Sequence, residues 1–151
     1  MRVGAGICVV TVMVTLLSAC AEQDFEPPDR AERASRAEGA YSRTLFDTIG
    51  WADEEARLVA GNLVYAEECR RCHGALGQGR TDYARERGLT VPSLVAPEWP
   101  MADADSLRHM IFVGHESGMP VYGAGDLTPR QIDATAAYIL LSLRPDVLEQ
   151  G

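Results

Sequence analysis

Lysine is absent from this sequence of 151 residues; all 14 of its basic side chains are arginines. Recognition of a partner through lysines is therefore excluded. The 22 acidic residues leave a net charge of −8, and no nucleic-acid partner is expected, because such partners need a basic surplus. Cysteine is scarce: Cys8, Cys20, Cys69 and Cys72 are all there are. The first two lie in an N-terminal apolar segment, so a single C-x-x-C pair serves the rest of the chain. Without a second pair, a paired zinc cluster lacks ligands. No βαβ pattern surrounds Cys69 and Cys72, which removes a thioredoxin-like setting. No internal repeat and no convincing strand pair can be found. The apolar run from Ile7 to Leu17 is short for a stable membrane span.

That run is the centre of an export signal over residues 1–19. Arg2 supplies the positive start, and small residues lead into Leu17-Ser18-Ala19-Cys20. This end looks like a bacterial lipobox. The resemblance implies cleavage before Cys20, diacylglycerol on its sulfur and acylation of the new N-terminus. The competing readings are an ordinary signal peptide and an uncleaved anchor helix. Two or three acyl chains would hold the protein firmly on a membrane, whereas one binds only marginally.

The chemistry is concentrated in Cys69-Arg70-Arg71-Cys72-His73-Gly74. C-x-x-C-H is the attachment signal for a c-type haem. Two cysteines three apart share one side of a helical turn, so both sulfurs can form thioethers with the vinyl groups on one haem edge. His73 follows directly and can offer its imidazole to the iron from the same side. A plain Cys69–Cys72 disulfide would leave His73 unexplained.

Around this motif the chain reads as helices and loops. Residues 20–52 form an acidic tether and N-terminal extension: Ala21–Ala40 is polar, contains Pro27-Pro28 and lacks a strong apolar period. Arg30–Glu38 is at most a transient charged helix. Leu45, Phe46, Ile49 and Trp51 form a small apolar group, expected to pack on the following domain, or else to dock a partner subunit. Residues 53–145 form that domain. A helix is expected over Asp53–Arg70, with Leu58, Gly61, Leu63, Val64, Tyr65 and Cys69 on its apolar stripe. A short helix follows near Asp82–Arg87, a third over Asp103–Val113, and a last one capped by Thr128 with Pro129 in first position and stopped by Pro145. Residues 146–151 are left as a tail.

The iron needs a sixth ligand or an open site. Met119, in Gly118-Met119-Pro120, is the candidate: a thioether favours ferrous iron and raises the potential. Met101, Met110 and His115 are alternatives; Met110 reads as helix core, His115 as a surface loop residue and His109 as solvated.

Leu58–Arg144 resembles a class I c-type cytochrome. The markers are Gly61-x-x-x-Tyr65-x-x-x-Cys69-x-x-Cys72-His73-Gly74, Val91-Pro92-x-Leu94, Gly118-Met119-Pro120 and the last helix bearing Tyr138. The resemblance implies an all-α fold of about four helices around one covalently attached haem c. It implies that the first and last helices of the domain cross at Gly61, beside Tyr65 and Tyr138. It also implies that the Pro92 carbonyl accepts the second ring N–H of His73 and that Leu94 packs on the haem plane. Arg71, Arg80 or Arg108 could serve a propionate or a partner. The expected function is a membrane-tethered electron carrier between respiratory or photosynthetic redox complexes, and not an enzyme in its own right. It would be exported and held by its lipid on the outer face of the cytoplasmic membrane or on the outer membrane. The alternatives are a fixed haem subunit of a larger membrane oxidoreductase and, from another class, a haem enzyme or gas sensor with an open iron site.

Overall fold

Asp53 accepts a hydrogen bond from the Ala56 N–H at 2.7 Å and starts α3, Glu54–Val64, with two acids in its first turn. The computed structural model describes residues 29–101 and 103–149, so the export signal, Cys20 and the chain as far as Pro28 lie outside the described residues. Before α3 come α1, Arg30–Ala40, and α2, Thr44–Asp47. Helical backbone continues past α3 through a π-turn, Tyr65–Cys69, into α4, Arg70–His73. The helix thus carries the whole C-x-x-C-H motif and stops at Gly74, one turn beyond the expected end. Next come α5, Asp82–Glu86, α6, Ala104–Val113, a 3₁₀ turn, Tyr122–Ala124, and α7, Pro129–Tyr138. The fold is all-α, as expected; among the described residues the only β feature is an isolated bridge between His115 and Met119. No described helix is long and apolar enough to cross a membrane.

The crossing of α3 and α7 organises the domain. A Cβ built on Gly61 would lie 2.0 Å from the Ala134 carbonyl oxygen and 2.7 Å from Tyr138 Cβ. The two backbones meet where only a hydrogen fits, and the Tyr65 and Tyr138 rings pack beside the meeting point with centroids 5.5 Å apart. Gly61→Ala gains about 1 kcal/mol of helix propensity but overpacks the crossing against backbone, at about 1–3 kcal/mol or more. The expected result is a net loss of stability, read as a lower urea midpoint. An unchanged or raised midpoint would show that the helices can slide apart freely. Leu63 does not belong to the apolar stripe: it is 60% exposed. Residues i and i+2 on a helix point in different directions, so a stripe through Gly61 turns Leu63 outward.

The last helix also differs from expectation. Thr128 and Gln131 form a reciprocal capping box and Pro129 sits in the first turn. Pro145 does not stop the chain. A π-turn, Ile139–Leu143, precedes α8, Arg144–Glu149, and Pro145 falls at the second residue of that segment. The helix runs on through the π-turn, where the Arg144 N–H bonds to the Ile139 carbonyl, and Pro145, which has no N–H to place, follows directly after. Val147 packs against the core, so residues 146–149 belong to the domain and are not a tail.

The largest correction concerns residues 30–40. They form a helix that docks on the domain, in place of the expected tether. Asp29 caps α1 by accepting from the Glu32 N–H. Ala37 is buried, Arg33 pairs with Asp126 at 2.6 Å, and the Tyr41 hydroxyl donates to Asp105 at 2.9 Å. His109 is only partly solvated: its ring stacks edge-on to Tyr41 and its Nε2 lies 3.1 Å from Glu38. One apolar contact per turn was too weak a signal for this helix, and the polar contacts that dock it on the domain are with residues more than 60 positions away.

The Leu45–Trp51 segment packs on the domain. Phe46 is buried, worth roughly 1.5–3 kcal/mol. Trp51 donates through Nε1 to Asp133 at 2.8 Å, and Arg130 stacks on its indole at 3.7 Å. Of its four apolar residues only Leu45 stays on the surface. Asp133 is the hub of this corner. It is almost fully buried on α7 and receives Arg57 from α3 at 2.7 Å and Arg108 from α6 at 2.5 Å. Arg108 is therefore committed to the frame of the protein and is not free for a propionate or a partner.

Candidate functional site

Cys69 is buried and Cys72 half-buried, and the two are not joined in a disulfide. They lie across the junction of the π-turn and α4, with His73 at the helix end. π-turns interrupt α-helices most often at functional sites. Here its last residue is the first cysteine, Cys69. Tyr65 ties the two ends of this stretch together: its hydroxyl donates to the Gly74 carbonyl at 2.7 Å. The Tyr122 hydroxyl donates to the Glu68 carbonyl at 3.1 Å and so holds the π-turn from the other side.

Burial pushes the Cys69 thiol up to about 12, with Glu68 and Cys72 adding in the same sense. Burial thus works against the depressed thiol that a reactive redox pair requires. Among the described residues no group of three or more His, Cys, Asp or Glu gathers in the manner of a metal cluster. The raised thiol argues against the thioredoxin-like reading.

His73 is half-buried, and burial lowers its imidazole below the ordinary value, keeping it neutral. The Pro92 carbonyl faces the ring and acts in the opposite sense, although Nδ1 has no aligned partner and stands as a buried unsatisfied atom. Such an orphan is rare in native proteins and signals a group whose partner is not yet in line.

The segment bearing Pro92 and Leu94 is held firmly against this end of the helix. The His73 carbonyl accepts from the Gly79 N–H at 2.8 Å, and the Gly77 carbonyl accepts from the Leu94 N–H at 2.8 Å. Gly79 sits at φ +74°, and a Cβ there would lie 2.5 Å from the Val91 carbonyl oxygen and 2.9 Å from that of Pro92. Glycine is needed for the close approach as well as for the left-handed backbone. Leu94 is buried. Arg144 donates to the carbonyls of Leu94 and Ala96 and stacks 4.9 Å from the Trp99 ring. This arginine bolts the Pro92–Trp99 loop to the end of the last helix. Nothing in its sequence neighbourhood announced the role.

Met119 is half-buried against the core, as is Met101. Met119 and His115 form the isolated bridge, with Met119 N–H donating to the His115 carbonyl at 3.0 Å. The His115 ring is exposed and its Nδ1 lies 2.6 Å from Ser117 Oγ. Met110 is half-buried on α6. Arg71 is stacked 4.4 Å over the Tyr83 ring, whose other neighbour is Arg87 at 3.8 Å. Arg80 is exposed. An open hollow of about 410 Å³ lies between α1 and residues 123–125; Arg33, Ala37 and Gly123 line it, and none of the candidate residues does.

The family model described as cytochrome c oxidase, cbb3-type, subunit III matches residues 56–139. No solved structure matches the chain.

Proposed function

Since the chain belongs to the family of cbb3-type cytochrome c oxidase subunit III, a monohaem c-type cytochrome domain with covalently bound haem c, we propose that it relays single electrons on the outer face of a bacterial membrane, held there by a lipid on Cys20. The observation that carries the reading is the helix end: two cysteines one turn apart that are not joined to each other, and an imidazole whose Nδ1 is buried without an aligned partner. These residues fit the group. Cys69 and Cys72 would hold the haem by thioethers, and His73 would bind the iron through one ring nitrogen. The Pro92 carbonyl would accept the N–H of the other, which fixes the ring and raises ligand basicity. Met119 would be the sixth ligand, and Leu94 would pack on the haem plane. When bound, the haem supplies a one-electron ferric/ferrous couple. The chain's own part is to hold the ligands, exclude water through the Leu94–Trp99 loop, and keep other ligands from the iron.

The tether is shorter than composition alone suggested. With α1 docked, only residues 21–29 join Cys20 to the folded part, and ten residue steps reach at most about 35 Å. The domain would therefore work close to its membrane.

A second reading rests on the family description. The matched family is that of an oxidase subunit, which favours a fixed haem subunit over a free carrier. The packed Leu45–Trp51 group removes the exposed patch that would have been its most obvious dock. Partners on either reading are membrane redox complexes.

Intact-mass measurement of the denatured mature protein tests the proposal. One haem and a diacylglycerol-modified N-terminal Cys20 are expected. A mass without haem would overturn the site, and an unmodified Cys20 would overturn the anchor. Co-migration with a larger complex after mild detergent extraction would favour the fixed subunit.

A further inference from the structure

Arg30 is the first residue of α1 and reaches across to a loop 85 positions away. Its Nη2 donates to the carbonyls of both His115 and Met119, the latter at 2.8 Å. Those two residues form the bridge at the neck of the loop. The Met119 N–H donates to the His115 carbonyl at 3.0 Å and the His115 N–H to the Met119 carbonyl at 3.3 Å. One guanidinium thus caps both acceptors of the same bridged pair.

Met119 packs half-buried against the core, but His115, Glu116, Ser117, Gly118 and Pro120 around it are all exposed, and a segment with few buried apolar contacts opens at small free energy. Hydrogen bonds supply the rest of its support, the bridge and a Gly118 N–H to His115 carbonyl bond at 3.1 Å among them, and the charge-assisted ones from Arg30 are the strongest of these. The helix that delivers Arg30 is anchored independently of it. Arg33 donates to the Val121 carbonyl at 3.3 Å and to Asp126, Ala37 is buried, and Tyr41 is bonded to Asp105. Moreover, α1 lies outside residues 56–139, the span matched by the family. The clamp is an addition to that domain, made by the segment that leads back to the membrane anchor.

We propose that Arg30 is a positioning residue for the axial-ligand loop: by capping the His115 and Met119 carbonyls it keeps the Met119 sulfur where it can stay on the iron. The inference rests on Met119 being the sixth ligand. Without Arg30 the bridge at the loop neck opens more often and the sulfur is displaced more easily by an added ligand. No bond of the chain is made or broken, and ligand exchange at the iron is reversible.

The test is imidazole binding to the oxidised full-length holoprotein, followed by loss of the sulfur-to-iron charge-transfer absorption. Charge-assisted hydrogen bonds at an exposed position fall at the low end of their range, so Arg30→Ala should bind imidazole about tenfold more tightly. Arg30→Lys keeps a charged donor and should recover part of the difference. Arg36→Ala serves as control: Arg36 is exposed and pairs only with Glu32 on its own helix. It should leave imidazole affinity unchanged. Helical content by circular dichroism should be the same in all three, so a general loss of structure would be seen separately. Unchanged imidazole affinity in Arg30→Ala, with the absorption abolished in Met119→Ala, would overturn the clamp while leaving the ligand in place. An absorption that survives in Met119→Ala would overturn the ligand assignment and the clamp with it. An equal gain in affinity in Arg30→Ala and Arg36→Ala would assign the effect to α1 as a whole and overturn the specific role of Arg30.

Discussion

Met119→Ala should lower the reduction potential by on the order of 100 mV or more and open the iron to carbon monoxide. Axial ligation accounts for a range of roughly 0.8 V across haem proteins, and a thioether stabilises the ferrous state. Alanine cannot replace it, and a water or a stray side chain binds the ferric state better. Carbon monoxide, excluded by a sulfur that stays on the iron, would gain an open position. Potentiometric titration and the spectrum of the reduced protein with and without carbon monoxide read both effects. Met101→Ala is the comparison, because Met101 is the other methionine packed half-buried against the core. If Met101→Ala gives the drop and Met119→Ala does not, the ligand is Met101. If the wild-type protein already binds carbon monoxide, the iron site is open and the reading as a haem enzyme or gas sensor gains over electron relay.

The second large effect is one of stability. Asp133→Ala should cost about 3 kcal/mol, read from the urea midpoint and slope. Asp133 is 3% exposed and is the only acidic partner of both Arg57 and Arg108 among the described ion pairs. Trp51 shares the same carboxylate through Nε1. Removing a buried anion leaves two guanidinium groups uncompensated, and breaking a buried pair from one side costs about 3–5 kcal/mol. The arginine side chains are about a fifth exposed, at 22% and 20%, so water relieves part of the penalty and the low end applies. Arg57→Ala should cost much less, since Arg108 still neutralises the carboxylate. Equal losses from the two variants would mean that the arginine stems, and not the charge balance, carry the stabilisation. Asp133 also precedes Ala134, whose carbonyl meets Gly61. A loosened corner would therefore be felt at the α3–α7 crossing, and through Tyr65 at Gly74 beside the haem-attachment motif.

The elements with strong local signals were readable in advance. The Thr128 cap with Pro129 after it, the acids at the start of α3, and the helix beginning at Asp103 were placed within one turn, because capping depends on side chains adjacent in sequence. Gly61, Tyr65 and Tyr138 were readable through resemblance, since a glycine in a helix needs a reason and the crossing supplies it. Helix ends were less legible. The two π-turns that carry the chain through Tyr65–Cys69 and Ile139–Leu143 leave no compositional trace. Pro145 therefore looked like a stop.

The clamps were not legible at all. Arg30, Arg144 and the Asp133 hub each act on residues at least 25 positions away. An arginine on a polar helix looks the same whether it faces water or a distant carbonyl.

By itself, the sequence determined the proposed attachment set: Cys69, Cys72 and His73 lie within five residues, and a helical turn brings them to one helix end. It also determined the helical class and the positions of Pro92 and Met119 in loops. Only the tertiary structure decided that residues 30–40 are part of the domain and not a tether, that Arg108 serves Asp133, and that the Met119 loop is capped from outside. The physical reason is range. Helix periodicity and capping are interactions over three or four residues, written in adjacent letters, whereas the burial of Ala37 and the reach of Arg30 depend on surfaces that exist only once the distant helices have packed.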